Sequence, residues 1–304
     1  MRLKRVLPFL LAAGAVALAA GWFLTAPQRL DPAGIPAHDG DVENGRRMFF
    51  AGGCASCHAA PGARGEDRLV LAGGLALSSP FGTFYAPNIS PGPEGIGGWS
   101  DLDFLNAMMR GVAPDGRHYY PAFPYTSYQR MRPQDLIDLK AFLDTLPAST
   151  EPTRDHDVPF PFSVRRGLGL WKLLYLDGEP FAAPEGLSEV EALGAYLVQG
   201  PGHCQECHTA RDIFGGRRTD RAFAGAPNPE GDGIVPNITP HPDGIASWTA
   251  ADIAYALESG FTPEFDSLGG SMGSVVTNYG ELDDADRQAV AAYLRTLPPL
   301  PTER

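Results

Sequence analysis

The sequence predicts an all-α protein with two similar domains in tandem, preceded by an N-terminal apolar helix. The first observation is an internal repeat with a period near 150 residues, in which residues 88–91 (Asn-Ile-Ser-Pro) match residues 237–240 (Asn-Ile-Thr-Pro) and Trp99 matches Trp248. The second is that each copy carries apolar residues at helical spacing, whereas no run shows convincing strand alternation. A chain of 304 residues is also long enough for two domains.

The first predicted element is an uncharged apolar run over residues 6–24, which follows three basic residues. Its length exceeds the apolar region of most signal peptides and approaches that of a membrane-spanning helix. Small residues inside the run could form a cleavage site, but the run continues past them through Trp22, a residue type that suits a membrane interface. We therefore expect residues 1–30 to be a signal anchor in the cytoplasmic membrane, with the body of the protein exported.

Three longer helices are predicted in each copy of the repeat. Ser188 and Glu191 form a capping box at the first helix of the second copy, and Gly111 and Gly260 are suited to end the two middle helices. The predicted ranges are 42–50, 100–111 and 133–146 in the first copy and 190–198, 249–260 and 284–297 in the second. These helices place the domains at residues 31–147 and 187–304. A linker over residues 148–186 joins them, with a short apolar helix at residues 165–176 that we expect to clamp the two domains.

The four cysteines define the chemistry that we expect of the two domains. All four lie in two C-x-x-C-H strings, residues 54–58 and 204–208. This is the attachment motif for c-type haem, in which the thiols bond to the haem vinyl groups and the adjacent histidine ligates the iron. A redox-active C-x-x-C needs no following histidine, and a zinc site needs four ligands close together, whereas these strings are about 150 residues apart. The pattern thus predicts two class I cytochrome c-like domains, each with one covalently attached haem c. The predicted attachment residues are Cys54, Cys57, Cys204 and Cys207, and the predicted iron ligands beside them are His58 and His208.

The charge of the chain restricts its partners. The formal net charge is −12, which disfavours binding to nucleic acid and favours a basic protein partner. Covalent haem attachment belongs outside the bacterial cytoplasmic membrane, and the N-terminal run predicts export as well. Both signals indicate the periplasmic side of that membrane.

The chain resembles the multihaem cytochrome c subunits of bacterial membrane-bound alcohol and aldehyde dehydrogenases. The segments that carry the resemblance are the two C-x-x-C-H strings and, in the first copy, residues 85–91 and 116–125. The resemblance covers roughly residues 40–304. It implies an electron-transfer protein that accepts electrons from a periplasmic dehydrogenase subunit and passes them to a downstream cytochrome, quinone or oxidase. Such subunits usually carry three haems, so one relay position of the family is missing here. The alternative is a dihaem, peroxidase-like redox enzyme with an open iron at haem 1 and His118 as the acid–base group.

For haem 2 the best candidate for the sixth iron ligand is Met272, because haems used for electron transfer most often have a histidine and a methionine as axial ligands. It is the only methionine of the second domain and is predicted to lie in a glycine-rich loop before the last helix. The alternative is that Met272 fills a gap in the core. His241 and His203 are the substitute ligands if it does.

The first domain departs from this pattern. The residue that matches Met272 without a gap is Phe123, which cannot ligate iron, and in the resembling family this position is often methionine. Met131 is the first substitute ligand, although it could equally be an apolar residue ahead of the last helix. His118 is the second, and an open iron site is the third alternative.

Asn88 and Asn237 lie in formal glycosylation sequons, but they stand at matched positions of the repeat. We expect them to bind haem propionates or the backbone of a loop instead.

Overall fold

The computed structural model describes residues 3–228 and 233–302. Within them the protein is mainly helical, with long loops, as predicted. The helices are α1 (Leu3–Leu24), α2 (Val42–Ala51), α3 (Cys54–His58), α4 (Asp101–Arg110), α5 (Tyr125–Tyr128), α6 (Pro133–Leu143), α7 (Leu168–Tyr175), α8 (Glu189–Gln199), α9 (Gln205–His208), α10 (Ala250–Ser259), α11 (Ser271–Tyr279) and α12 (Asp284–Thr296). Two antiparallel hairpins, which the sequence did not predict, pair β1 (Ala76–Ser79) with β2 (Gly82–Tyr85) and β3 (Ala226–Pro227) with β4 (Ile234–Val235). Their strands are too short to display an alternating pattern.

The two halves repeat the same order of elements, α2 to α6 and α8 to α12. The capping residues of the sequence set the helix ends as predicted. Ser100 and Thr249 each form a capping box with the aspartate three residues later, and Ser188 forms one with Glu191. Gly111 and Gly260 end α4 and α10 with left-handed φ angles of 58° and 79°, a conformation that favours glycine.

In each half, the first helix crosses the last at very short distance. A Cβ atom on Gly45 of α2 would lie 1.9 Å from the carbonyl oxygen of Asp138 on α6. A Cβ atom on Gly194 of α8 would lie 1.9 Å from the carbonyl oxygen of Ala289 on α12. Only glycine allows the two backbones to approach so closely, so the same crossing is encoded twice. The apolar core spreads from these two crossings.

The segment before each last helix differs between the halves and from the prediction. Met272 is the second residue of α11 and does not lie in a glycine-rich loop. In the first half the corresponding helix, α5, has only 4 residues and begins after Pro124. Proline disfavours helical backbone in the residue before it, so Phe123 stays outside α5, whereas Gly273 at the matching position lets α11 start earlier.

The N-terminal helix α1 covers the predicted apolar run. Among the residues whose side chains the structure describes, we find no helix of the length and hydropathy needed to cross a bilayer. The predicted membrane anchor over residues 1–30 therefore gains no support from the described residues. The side chains of residues 1–7 lie outside the description.

The linker helix α7 contacts both halves, as expected of a clamp. Trp171 Nε1 donates a hydrogen bond to the carbonyl oxygen of Phe214 in the second half, at 3.0 Å. The buried Lys172 donates from Nζ to the carbonyl oxygens of Arg110 and Gly111 in the first half, at 2.6 and 2.7 Å. Helix α7 therefore joins the end of α4 to the loop that follows the second C-x-x-C-H string.

Candidate haem sites

The two C-x-x-C-H strings fold into short helical turns. Cys54, Cys57 and His58 belong to α3, and the turn that holds Cys204, Cys207 and His208 includes α9. The residue before each turn has a left-handed φ, 58° at Gly53 and 39° at His203. One turn of helix brings both thiols and the imidazole to one side of the backbone, which is the arrangement that covalent haem attachment requires.

Each histidine of these strings is oriented by one backbone carbonyl. His58 Nδ1 lies 2.8 Å from the carbonyl oxygen of Pro87, and His208 Nδ1 lies 2.7 Å from that of Pro236. A carbonyl oxygen only accepts, so Nδ1 carries the proton and Nε2 keeps its lone pair for a metal. Burial lowers the pKa of both imidazoles, against a smaller opposing effect of the carbonyl bond, and this favours the neutral form that ligates iron.

A glycine lets the returning chain pass close to the histidine of each string. Gly73 N donates to the carbonyl oxygen of His58 at 2.7 Å, and Gly225 N donates to that of His208 at 3.0 Å. A Cβ atom on Gly73, whose φ is 77°, would lie 2.5 Å from the carbonyl carbon of Pro87. The hairpins β1–β2 and β3–β4 thus lead the chain back against the histidine of each string. Sequence reasoning missed Pro87 and Pro236, although both precede the repeated asparagine and could have been found from the repeat.

The two asparagines bind loop backbone, which is one of their two predicted roles. Asn88 Nδ2 donates to the carbonyl oxygen of Glu151 at 2.8 Å, and Asn237 Nδ2 donates to that of Leu300 at 2.7 Å. Their Oδ1 atoms accept from the amides of Ser90 and Thr239. Each asparagine therefore ties the loop after the proline to the segment that follows the last helix.

The donor set fits haem c. The four cysteines form no disulfide, and burial, with a smaller effect of the neighbouring thiol, raises the pKa of Cys54 and of Cys204 to about 12. Within the described residues, no three His, Cys, Asp or Glu side chains cluster as a metal-ion site would require. The residues that could hold a haem are thus a pair of thiols and one imidazole nitrogen in each half.

The register that aligns Phe123 with Met272 is repeated in the backbone. Tyr119 N donates to the carbonyl oxygen of Gly111 at 2.7 Å, and Leu268 N donates to that of Gly260 at 2.7 Å. Isolated bridges at the matching positions, Val112 with His118 and Phe261 with Ser267, extend the correspondence. Met272 is partly exposed on α11, and Phe123 is partly buried within 5.6 Å of the ring centroid of Tyr128.

The substitute ligands lie in other surroundings. Met131 is 2 % exposed in the apolar core, and a Cβ atom on Gly200 of the second half would lie 3.5 Å from its Cγ. His118 Nε2 lies 2.9 Å from the carbonyl oxygen of Thr25. His203 Nε2 lies 3.2 Å from that of Gly52, and His241 Nδ1 accepts from the amide of Asp243. The placement of Met131 favours the alternative that it packs in the core.

Each attachment string also contacts a helix of the opposite half. Sequence reasoning did not predict these reciprocal contacts. The residue before the second cysteine of each string bonds to the helix before the last helix of the other half. Asn278 Nδ2 of α11 donates to Ser56 Oγ at 2.8 Å. Thr126 and Ser127 of α5 donate from their hydroxyls to Glu206 Oε1 at 3.0 and 2.9 Å.

Glu206 is an ionised carboxylate at this interface. Burial alone would raise its pKa, but the charges of Arg217 and Arg211 outweigh burial. Together with hydrogen bonds that include one from Ser127, they lower the pKa of Glu206 to about 2. Arg211 Nη2 lies 2.6 Å from Glu206 Oε2, and Arg217 Nη1 lies 3.3 Å from Oε1.

Known proteins resemble this chain over nearly all of its length. A sequence model of the family "Cytochrome c" matches residues 42–147 and 191–298. The chain is 53 % identical to a diheme cytochrome c-type protein of Cereibacter sphaeroides over 97 % of its own length and 99 % of the relative. It is 35 % identical to the fructose dehydrogenase cytochrome subunit of Gluconobacter japonicus over 89 % of its length, and 33 % identical to the cytochrome c subunit of the quinone alcohol dehydrogenase of Gluconobacter oxydans over 87 %. It covers 55 % and 57 % of those two subunits.

These matches agree with the geometry of the two strings. The family matches both halves separately, and each matched segment contains one C-x-x-C-H string with its carbonyl-bound histidine. The resemblance to cytochrome subunits of dehydrogenases expected from the sequence is confirmed as well. The chain belongs to the cytochrome c family, whose haem iron transfers electrons.

Proposed function

We propose that this cytochrome c carries two covalently attached haems and relays electrons between protein partners. The observation that carries the proposal is the repeated placement of an Nδ1-bonded histidine and two cysteines on one turn of helix. When bound, each haem supplies an iron atom that cycles between two oxidation states. The haem domains that we propose are residues 31–147 and 187–304, joined by the linker over residues 148–186.

The chain supplies the attachment groups of both haems, one histidine ligand for each iron and a methionine for haem 2. Haem 1 would be held by Cys54, Cys57 and His58, and haem 2 by Cys204, Cys207 and His208. Met272 would supply the sixth ligand of haem 2 from the first turn of α11. A thioether ligand raises the reduction potential, so we expect haem 2 to be the site of higher potential.

The contacts between the strings support a relay from one haem to the other. His203 Nε2, directly before Cys204, donates to the carbonyl oxygen of Gly52, two residues before Cys54, at 3.2 Å. Its ring packs edge-on against Tyr128, with 5.7 Å between centroids. The first cysteine of each string lies close to this contact along the chain, so electrons passing between two bound haems would cross a few residues that hydrogen bonds hold in place.

The proposed partners are a dehydrogenase that donates electrons and a downstream cytochrome, quinone or oxidase that accepts them. Two relatives are named as cytochrome subunits of dehydrogenases, and this supports the donor class. The net charge of −12 favours a basic protein as acceptor. We place the protein on the periplasmic side of the cytoplasmic membrane, because covalent haem attachment takes place there.

The test uses the purified holoprotein after reduction with dithionite and removal of the excess. Mixing with an oxidised basic cytochrome c in a stopped-flow instrument should oxidise both haems, and the rate should fall as salt is added. Catalytic consumption of hydrogen peroxide, with electron transfer to the basic protein absent, would instead support the peroxidase-like alternative. The described contacts do not favour that alternative, because His118 bonds to Thr25 and lines a cavity with Lys172 and Leu24.

A further inference from the structure

We infer that the iron of haem 1 receives no methionine or histidine of the first half as its sixth ligand and binds small neutral molecules such as carbon monoxide or nitric oxide. The inference rests on the proposed attachment of haem 1 to Cys54, Cys57 and His58. It rests further on matching positions in the two halves. Where the second half has a residue that cannot ligate iron, the matching position of the first half serves packing.

Three of the four methionines in the first half stand where the second half has leucine. Met48 follows Gly45 by three residues, as Leu197 follows Gly194. The other two pairs are Met108 with Leu257 and Met131 with Leu282. Met48, Met108 and Met131 expose only 1, 6 and 2 % of their surface. Leucine has no atom that can ligate iron, so these are packing positions in both halves.

The counterpart of Met131 is fixed by a shared turn. Met131 N donates to the carbonyl oxygen of Tyr128 at 2.9 Å, and Leu282 N donates to that of Tyr279 at 3.2 Å. Leu282 is 6 % exposed in the same core cluster. The fourth methionine, Met109, corresponds to Glu258, which lies 3.6 Å from Arg287 on α12. In the second half, this position therefore faces the last helix.

The histidines of the first half and its linker are engaged elsewhere. His38 Nε2 lies 2.5 Å from Asp138 Oδ1, and His118 Nε2 lies 2.9 Å from the carbonyl oxygen of Thr25. His156 Nδ1 accepts from the amide of Tyr85, on the hairpin that leads to Pro87. It therefore lies on the side of His58 that carries the proline carbonyl. In the described parts of the chain, residues 3–228 and 233–302, no other histidine or methionine of the first half remains as a ligand.

The position of the missing ligand is occupied by an aromatic cluster. Phe123 stands at the place of Met272, with ring centroids of Tyr119 and Tyr128 at 5.7 and 5.6 Å. Burial raises the pKa of Tyr119 to about 12, so its phenol adds no charge to this cluster. Apolar rings exclude anions and favour a neutral diatomic molecule, which ferrous haem binds without a change in charge.

The test counts carbon monoxide bound per molecule of dithionite-reduced holoprotein, with the haem content measured separately as two per chain. We expect one carbon monoxide for the wild type. Phe123→Met should lower the count to zero, because the loop before Phe123 has the register of the one before Met272. Met131→Leu, the matched control that copies Leu282, should leave the count at one, and Met272→Leu should raise it to two.

Other counts would overturn the inference. A wild type that binds none has side-chain ligands at both irons. A Met131→Leu protein that binds one more molecule than the wild type would identify Met131 as the ligand of haem 1. A Met272→Leu protein that still binds one would place the reactive iron in the second half. Each result is independent of whether the protein passes electrons to a partner, since no partner is added.

Discussion

At the scale of single residues, the proposed ligation of haem 2 by Met272 can be tested by spectroscopy. Methionine bonded to ferric haem gives a near-infrared charge-transfer band, and Met272 is our proposed ligand of haem 2. Met272→Leu should abolish that band and lower the potential of haem 2, because a thioether stabilises iron(II) over iron(III). The haem itself should remain attached through Cys204 and Cys207. The measurement is the near-infrared spectrum with a redox titration, and a band that survives would point to a methionine of the first half.

A second residue-scale prediction concerns Gly73. A Cβ atom there would lie 2.5 Å from the carbonyl oxygen of Ala86 and from the carbonyl carbon of Pro87. Gly73→Ala should displace the carbonyl that orients His58, and it should change the axial-ligand spectrum of haem 1 alone. Gly62 is the matched control, since its φ is 84° but nothing lies within 4 Å of a Cβ atom. Gly62→Ala should cost only the backbone strain, about 1 kcal/mol, with an unchanged spectrum. Equal effects of the two substitutions would reject a role for the Pro87 carbonyl.

At the scale of elements, the link between α5 and the second attachment string depends on pH. Glu206 has a folded-state pKa of about 2, against an ordinary value of 4.5, so the unfolded chain binds the proton more readily. Its contribution to the free energy of unfolding is therefore complete above pH 4.5 and is lost as the pH falls toward 2. The contribution of Glu206 to the free energy of unfolding is about 3 kcal/mol.

Glu206→Gln should destabilise the protein at pH 6, and the difference from wild type should shrink by more than half at pH 3. Urea unfolding followed by circular dichroism at both pH values measures it. Glu281→Gln is the control, because it removes an exposed ion pair with Arg46 at the same interface and should cost far less. A penalty for Glu206→Gln that does not change with pH would show that the charge is not what stabilises the link.

The elements also show how far the sequence determines this fold. Ser100, Thr249, Gly111 and Gly260 specify helix ends by local bonds, so the middle helices were predicted closely. The haem attachment residues were predictable because they form a continuous string. The contact of Glu206 with Ser127 was not, because it joins residues 79 positions apart and depends on how two finished domains dock. The start of α11 was missed because glycines around Met272 suggested a loop.

At the scale of the whole molecule, the two halves are joined by paired contacts that approximate a twofold axis. Arg47 of α2 bonds to Asp286 of α12 through two nitrogens at 2.7 and 2.6 Å. At the corresponding place, Tyr196 of α8 bonds through its hydroxyl to Asp135 of α6. With the links at Ser56 and Glu206, each domain thus binds its partner through equivalent positions.

These paired contacts lead us to expect a fixed order of maturation. Both strings are tied to the opposite half through the residue beside a cysteine, and Cys54 and Cys204 are half-buried there. An enzyme that attaches haem reaches the thiols more easily in an open chain, so we expect attachment to precede docking. A Cys204→Ser, Cys207→Ser protein should therefore retain haem 1 but fail to close, with a larger radius in small-angle scattering than the wild type. If that protein is as small as the wild type, docking does not wait for the second haem.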